Sequence, residues 1–362
     1  MASSTVPAMV LEAPERLRLQ EFARPRIGPD EALLEVELAG ICGTDVKTFH
    51  GRLPYPTPLI MGHEILGHVA EIGERAAERW GVRVGDRVGV EGSVPCWACL
   101  RCQTGRYRFC QRKQGYGTTT PATEPPYLWG AYGRLMYLAP GSIVHRIGAH
   151  VPPGAAVVAS IIANGIQWAR NQGGVRFGDV VVVQGVGPQG LAAVVVAREC
   201  GARLVVATGI GRDRERLELA RLFGADHAVD VDAQDPVALV RELTSGDGAD
   251  VVVDVSGSPR ALATSLEMAR EQGTVVCAGL TGKETVTPLL FDQVIWKELR
   301  LQGVFTKGAD AIAEGIRLAE SGKYPLERML THTFPLDQAE QAIRALAGEI
   351  PGLYPVKAAI AP

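Results

Sequence analysis

No run of apolar residues in this chain approaches the ~18 that a membrane span needs, so nothing here reads as transmembrane. Neither sign of charge dominates. Lys and Arg total 37 against 40 Asp and Glu, a net charge of −3. That balance excludes an electrostatic footprint for nucleic acid and any pull toward an acidic membrane. No repeat recurs at a fixed period, and no segment is of low complexity. Met1 to Pro7 lack the basic and apolar regions of an export signal. A cytoplasmic location is therefore expected, where the seven cysteines would stay reduced or ligate metal rather than pair.

What is present suits a soluble globular protein of two domains. At 362 residues with 46% hydrophobic content, the chain can bury a sizeable core in each domain. The most informative stretch runs from Val180 to Thr208. Val180 to Val183 is a β-branched run suited to a strand buried on both faces. It is followed by Gly185-Val186-Gly187-Pro188-Gln189-Gly190, then an Ala- and Val-rich helix from Leu191 to Glu199, then a second apolar run from Leu204 to Ala207. In such a βαβ unit the first glycine makes a tight turn and the second lets backbone approach a pyrophosphate. The third lets helix and strand pack closely. Free N–H groups at the helix start favour the phosphates. Gly185 to Gly190 are thus expected to bind a dinucleotide.

Residues 8–40 read differently, as short strands with alternating polarity punctuated by Pro25, Gly28 and Pro29. Next come Cys42-Gly43-Thr44-Asp45 and, some twenty residues on, Gly62-His63-Glu64. Cysteine, histidine and carboxylate are all competent zinc ligands. A lone Cys or His is more often a small buried residue or a satisfied core histidine. The stretch from Val94 shifts that balance. Cys96, Cys99, Cys102 and Cys110 fall within fifteen residues, a spacing that predicts a closed tetrahedral thiolate site for structural zinc. Redox thiols or an iron–sulfur cluster are the alternatives. Four thiolates leave no open position, so zinc chemistry would have to use Cys42 and His63.

Taken together, these motifs resemble the zinc-dependent medium-chain alcohol and polyol dehydrogenases. The resemblance implies an α/β protein: a GroES-like β-rich catalytic domain with an inserted doubly wound Rossmann domain. The expected division is residues 1–155 for the catalytic domain with its zinc lobe at 94–112, 156–299 for the Rossmann domain, and 300–362 for a return to the first domain. Strand and helix signals alternate from Ala156 onward. Helices are predicted at Arg212 to Phe223, Pro236 to Leu243 and Arg260 to Arg270, and strands at Ala225 to Val231, Ala249 to Val255, Gly273 to Ala278 and Leu299 to Gly303. Pro325, Pro335, Pro351 and Pro355 mark a more irregular end.

The resemblance also implies a catalytic zinc on Cys42 and His63. Its third protein ligand is expected where this chain has Ser160, a poor ligand. Either Glu64 completes a Cys-His-Glu site with water in the fourth place, or the zinc is weakly held, or it is absent. Thr44 is expected to pass the alcohol proton toward solvent, as a hydroxyl both donates and accepts. Lys47 stands where many relatives have a histidine, with His50 nearby but out of register. Phe49, Trp129, Tyr132 and Trp168 either line a substrate pocket or belong to the core.

Cofactor choice turns on the end of the second strand. An NAD enzyme usually carries an acid there. Here the positions are Thr208 and Gly209, followed by Arg212, Asp213 and Arg214. Small residues with arginines make room for a 2′-phosphate and supply donors, so NADP is favoured. The other readings make Arg212 and Arg214 a solvated first helical turn, or Asp213 a displaced ribose ligand.

The expected activity is oxidation of a secondary alcohol or polyol, or reduction of the ketone, in a homodimer or homotetramer. The rivals are a zinc-independent enone or imine reductase and a non-catalytic dinucleotide-binding protein.

Overall fold

The computed structural model describes residues 5–282 and 285–362. Residues 1–4, part of the stretch read as lacking an export signal, lie outside it. The chain forms two compact units. One comprises Met1–Val158 with Leu326–Pro362, the other Ala159–Pro325. Among the described residues no helix is long and apolar enough to cross a membrane.

The first unit is built on antiparallel sheet. Its backbone is the strand Ala32–Ile41, whose apolar positions are buried nearly throughout. One side pairs with Glu64–Ile72, aligning Gly40 with Glu64. The other side is shared: Leu135–Leu138 pairs with its first half and Lys357–Ala361 with its last residues. The C-terminal segment Lys357–Ala361 thus enters the sheet of the N-terminal region, as the resemblance implied. Buried Leu, Ile, Val and aromatic side chains from both chain segments form one core.

The second unit is a six-stranded parallel sheet. Its order is His227–Asp230, Leu204–Gly209, Val180–Gln184, Ala249–Asp254, Ala269–Cys277, Arg300–Gly303. Chain order reverses beside Val180–Gln184, the arrangement of a doubly wound dinucleotide-binding fold. Val180 to Val183 are wholly buried, as expected of a strand covered on both faces.

Three boundaries differ from expectation. Residues 300–325 do not return to the first unit. Arg300–Gly303 hydrogen-bonds alongside Ala269–Cys277 as the sixth strand, and the crossing falls after Pro325, the first of the four late prolines. The helix expected from Arg212 is broken. Asp213 accepts the Ile210 N–H at 3.2 Å, closing a 3-10 turn at Gly211–Asp213 before the helix Arg214–Leu222. The helix expected to reach Arg270 stops at Met268, because Ala269 already has extended backbone and begins the next strand.

Candidate metal and cofactor sites

Four sulfurs gather in the lobe. Cys96, Cys99, Cys102 and Cys110 Sγ all lie within 4.8 Å of one another. Cys99 and Cys102 are 3.5 Å apart, and Cys96 and Cys102 4.0 Å. None is in a disulfide. The backbone helps: the Cys99 N–H points at Cys96 Sγ and the Cys96 N–H at Cys110 Sγ, both at 3.4 Å. Backbone N–H groups of Gln111 and Cys102 pull the Cys99 thiol down to about 6, whereas burial and neighbouring thiols push Cys102 up to about 12. Four such thiols cannot all ionise without a compensating cation, and four soft donors at this spacing suit zinc. The lobe is tied to the sheet by Tyr107 donating to Glu91 at 2.9 Å and by the Trp97 indole donating to Gly141 O at 3.1 Å.

The second group is Cys42, Asp45 and His63, whose ligand atoms also lie within 4.8 Å of one another. Cys42 ends a strand region and caps the helix Gly43–Phe49. Its Sγ accepts the Thr44 N–H at 3.2 Å, while Asp45 returns to accept the Cys42 N–H at 2.8 Å. That reciprocal capping box fixes Cys42 and Asp45 together. His63 presents Nε2 to Cys42 Sγ at 3.0 Å and Nδ1 to Asp45 at 3.4 Å. Nδ1 is buried without a well-formed hydrogen bond. Burial alone would lower the His63 pKa, but the charges of Cys42 and Asp45 outweigh it and raise it well above its usual value. Burial would likewise raise Asp45, yet His63, the Cys42 N–H and Lys357 hold it below the usual carboxylate range. A thiolate, an imidazole and a carboxylate behind the imidazole form a donor set that fits zinc.

Glu64 was expected beside His63 as a ligand, and the structure places it elsewhere. Its carboxylate is ion-paired with Lys357 Nζ, both side chains being nearly inaccessible at 5% and 1%. Lys357 also donates to Ile41 O at 2.5 Å. Gly40 makes the space: a Cβ there would lie 2.3 Å from Glu64 Oε2. His63 lies just before the strand Glu64–Ile72 and Glu64 is its first residue, and the two side chains meet different partners. Lys357 carries no motif, and only the pairing of the last strand with Ala32–Ile41 brings it here. Asp45 lay within the quoted Cys42 motif, but only the capping geometry shows what its carboxylate touches.

His50 is committed to Glu15 and Glu349, at 2.8 Å each, rather than open for a proton relay. Thr44 is half-buried, next to Cys42. Phe49, Trp129, Tyr132 and Trp168 are all buried, and the first three pack within the core of the first unit. Cys200 and Cys277, outside the lobe, are half-buried free thiols. Ser160 lies on the helix Pro153–Gly165 in the second unit.

In that unit the glycine turn has the geometry its sequence demands. Gly185 adopts φ +95°, and a Cβ on Gly190 would come within 1.8 Å of Gly185 O. A Cβ on Gly187 would meet nothing, leaving open the side from which a pyrophosphate approaches. Pro188 is the first residue of the helix Pro188–Glu199, and Gln189 accepts from Asn164 Nδ2 at 3.0 Å. Val186 and Thr208 are buried. A Cβ on Gly209 would lie 2.6 Å from Val186 Cγ2, so any side chain there requires Val186 to shift. Arg212 is exposed and Arg214 is 89% exposed, 3.4 Å from Glu218. Acids lie close by: Asp213 pairs with Arg216 at 3.0 Å, and Asp232, from the segment after the next strand, accepts the Gly211 N–H at 3.0 Å.

Comparison with known proteins agrees with both halves. Residues 28–149 match the alcohol dehydrogenase GroES-like domain and residues 185–321 the zinc-binding dehydrogenase family. A protein of Mycobacterium tuberculosis named a probable alcohol dehydrogenase is 42% identical over 99% of both chains. The erythritol/L-threitol dehydrogenase of Mycolicibacterium smegmatis is 33% identical over 98% of this chain and 97% of its own. The crystal structure of an alcohol dehydrogenase from Thermotoga maritima superposes with a TM-score of 0.89 at 26% identity, over 99% of this chain and all of the other. This chain belongs to the zinc-binding medium-chain alcohol dehydrogenase family, oxidoreductases acting on CH–OH with a nicotinamide cofactor. Neither the enone reductase nor the non-catalytic reading is needed.

Proposed function

We propose that the chain oxidises a secondary alcohol or small polyol with NADP, using a catalytic zinc held by Cys42 and His63 and a structural zinc held by Cys96, Cys99, Cys102 and Cys110. The observation that carries this reading is the Cys42–Asp45–His63 group, in which Cys42 and the buried Asp45 meet opposite nitrogens of one half-buried imidazole. Zinc bound there polarises the alcohol oxygen and lowers its pKa, while the nicotinamide accepts the hydride. Asp45 holds His63 in the orientation that aims Nε2 at the metal, as carboxylates behind ligand histidines do. Glu64, engaged by Lys357, acts as a buried counter-charge rather than as a direct ligand. Thr44 lies next to the ligand cysteine, where its hydroxyl can take the alcohol proton and pass it on. Polyol specificity is supported by similarity to the erythritol/L-threitol dehydrogenase.

NADP preference rests on the missing acid at Gly209 and on Arg212 and Arg214. Asp213 in that turn, and Asp232, which accepts the Gly211 N–H, favour NAD as the second reading. One set of measurements tests all of this: zinc per chain, and turnover of secondary alcohols and four-carbon polyols with each cofactor. Two zinc ions, with turnover favouring NADP, are expected. Arg212→Ala should then weaken NADP by roughly 1.5–3 kcal/mol more than NAD, for one lost charge-assisted contact. Equal loss for both cofactors rejects the NADP reading, and a single zinc in the active protein rejects the catalytic metal.

A further inference from the structure

His50 sits outside both metal groups and is engaged on both sides of its ring. Nδ1 lies 2.8 Å from Glu15 Oε1 and Nε2 lies 2.8 Å from Glu349 Oε1, with the imidazole only 9% exposed. Three stretches of chain meet here. Glu15 is in the turn between the first two strands, Thr5–Ala13 and Arg16–Ala23, and its N–H donates to Phe49 O at 2.7 Å. His50 closes the C-terminal end of the helix Gly43–Phe49, whose N-terminal cap is Cys42. Glu349 follows the helix Ala339–Leu346, and its N–H donates to Arg344 O at 2.9 Å.

The protonation state of the ring follows from these partners. An ionised carboxylate only accepts hydrogen bonds, and a neutral imidazole has one N–H to give. A neutral ring would therefore turn a bare nitrogen on one of the two carboxylates. Imidazolium satisfies both. Local charge points the same way. Arg344 lies 2.9 Å from Glu340, 3.0 Å from Glu349 and 3.9 Å from Glu15, and Arg52 adds its positive charge near Glu15. Three carboxylates against two guanidinium groups leave one negative charge unbalanced, and a protonated His50 balances it. A cation at the C-terminal end of a helix is also favoured by the free carbonyls there. The bond to His50 holds the Glu15 carboxyl below the usual carboxylate range, so this acceptor stays ionised into mild acid.

We propose that His50 is a proton-dependent clasp. As imidazolium it donates to Glu15 and Glu349 at once. It thereby pins the end of the helix that begins after Cys42 to the N-terminal hairpin and to the segment following the C-terminal helix. Loss of one proton as pH rises breaks one of the two bonds and restores the unbalanced negative charge. The stability that the clasp contributes is therefore present in mild acid and lost toward alkaline pH. The clasp stands whether or not Cys42 holds metal.

The test compares the Tm of the wild-type chain with that of His50→Gln from about pH 5.5 to about pH 9, a range that spans histidine titration. The wild type should be the more stable by a few degrees at the acid end, and the gap should close toward the alkaline end. The effect is small because Glu15 and Glu349 are 53% and 36% exposed, so solvent screens the charges. Any loss of bound metal with pH is common to both chains and drops out of the difference. Glu349→Gln is the second variant. Its amide keeps the contact but can donate to a bare nitrogen, so it no longer demands the second proton. Its deficit against wild type should likewise be confined to the acid end. A gap that is constant across the range, or that widens as pH rises, overturns the proposal. If His50→Gln does not fold, the Glu349→Gln profile decides by the same criterion.

Discussion

The two metal groups of the first unit are assembled in opposite ways. The lobe takes all four sulfurs from residues 96–110, and Glu91 and Gly141 support it from outside. The Cys42 group draws on a helix cap, on the residue before the strand Glu64–Ile72, and on surroundings that include Lys357 from the far end of the chain. A local cluster with four soft donors can bind metal almost wherever the lobe is placed. A distributed one exists only when the sheet is complete. In such a site the supporting groups matter as much as the ligands, since they decide which carboxylate faces the metal.

The largest effect should come from the lobe. Cys102→Ser removes a buried thiolate and leaves three mutually repelling thiols around an incomplete site. Loss of the structural metal should destabilise by more than about 4 kcal/mol, read as a large fall in Tm and one zinc fewer per chain. A near-unchanged Tm would mean that the lobe is not a structural element. Lys357→Met comes next. It strands Glu64 as a buried unpaired charge, at a cost of about 3–5 kcal/mol in urea unfolding. Adding Glu64→Gln should recover part of that loss, and no recovery would show that Lys357 acts otherwise than through Glu64.

The smallest effect separates the two sites most cleanly. Asp45→Asn should weaken zinc at the Cys42–His63 group by roughly 10–100-fold, with the lobe zinc retained and Tm little changed. Chelator should then strip one zinc from this variant well before the other. If both are lost together, the two sites are not energetically independent and the comparison fails.

How much of this could be read beforehand follows the same division. The valines of Val180–Gln184 and the glycine turn after them specify strand, turn and helix locally, and the structure has all three. The expected helix from Arg212 failed for a local reason of a different kind, a side-chain hydrogen bond from Asp213 that competes with helix propagation. Residues 300–325 were assigned to the wrong region because short strands carry no label naming their partner.

The chain itself therefore determined the six-strand fold class, the thiolate lobe and the presence of Cys42 and His63, because each rests on residue types close together in sequence. Tertiary structure alone decided which partner Glu64 meets. Gly40, paired with Glu64 across the sheet, leaves room for its carboxylate, and Lys357 arrives from 293 residues away to take its charge. A buried carboxylate follows the nearest cation, and which cation is nearest is a property of the sheet, not of the motif.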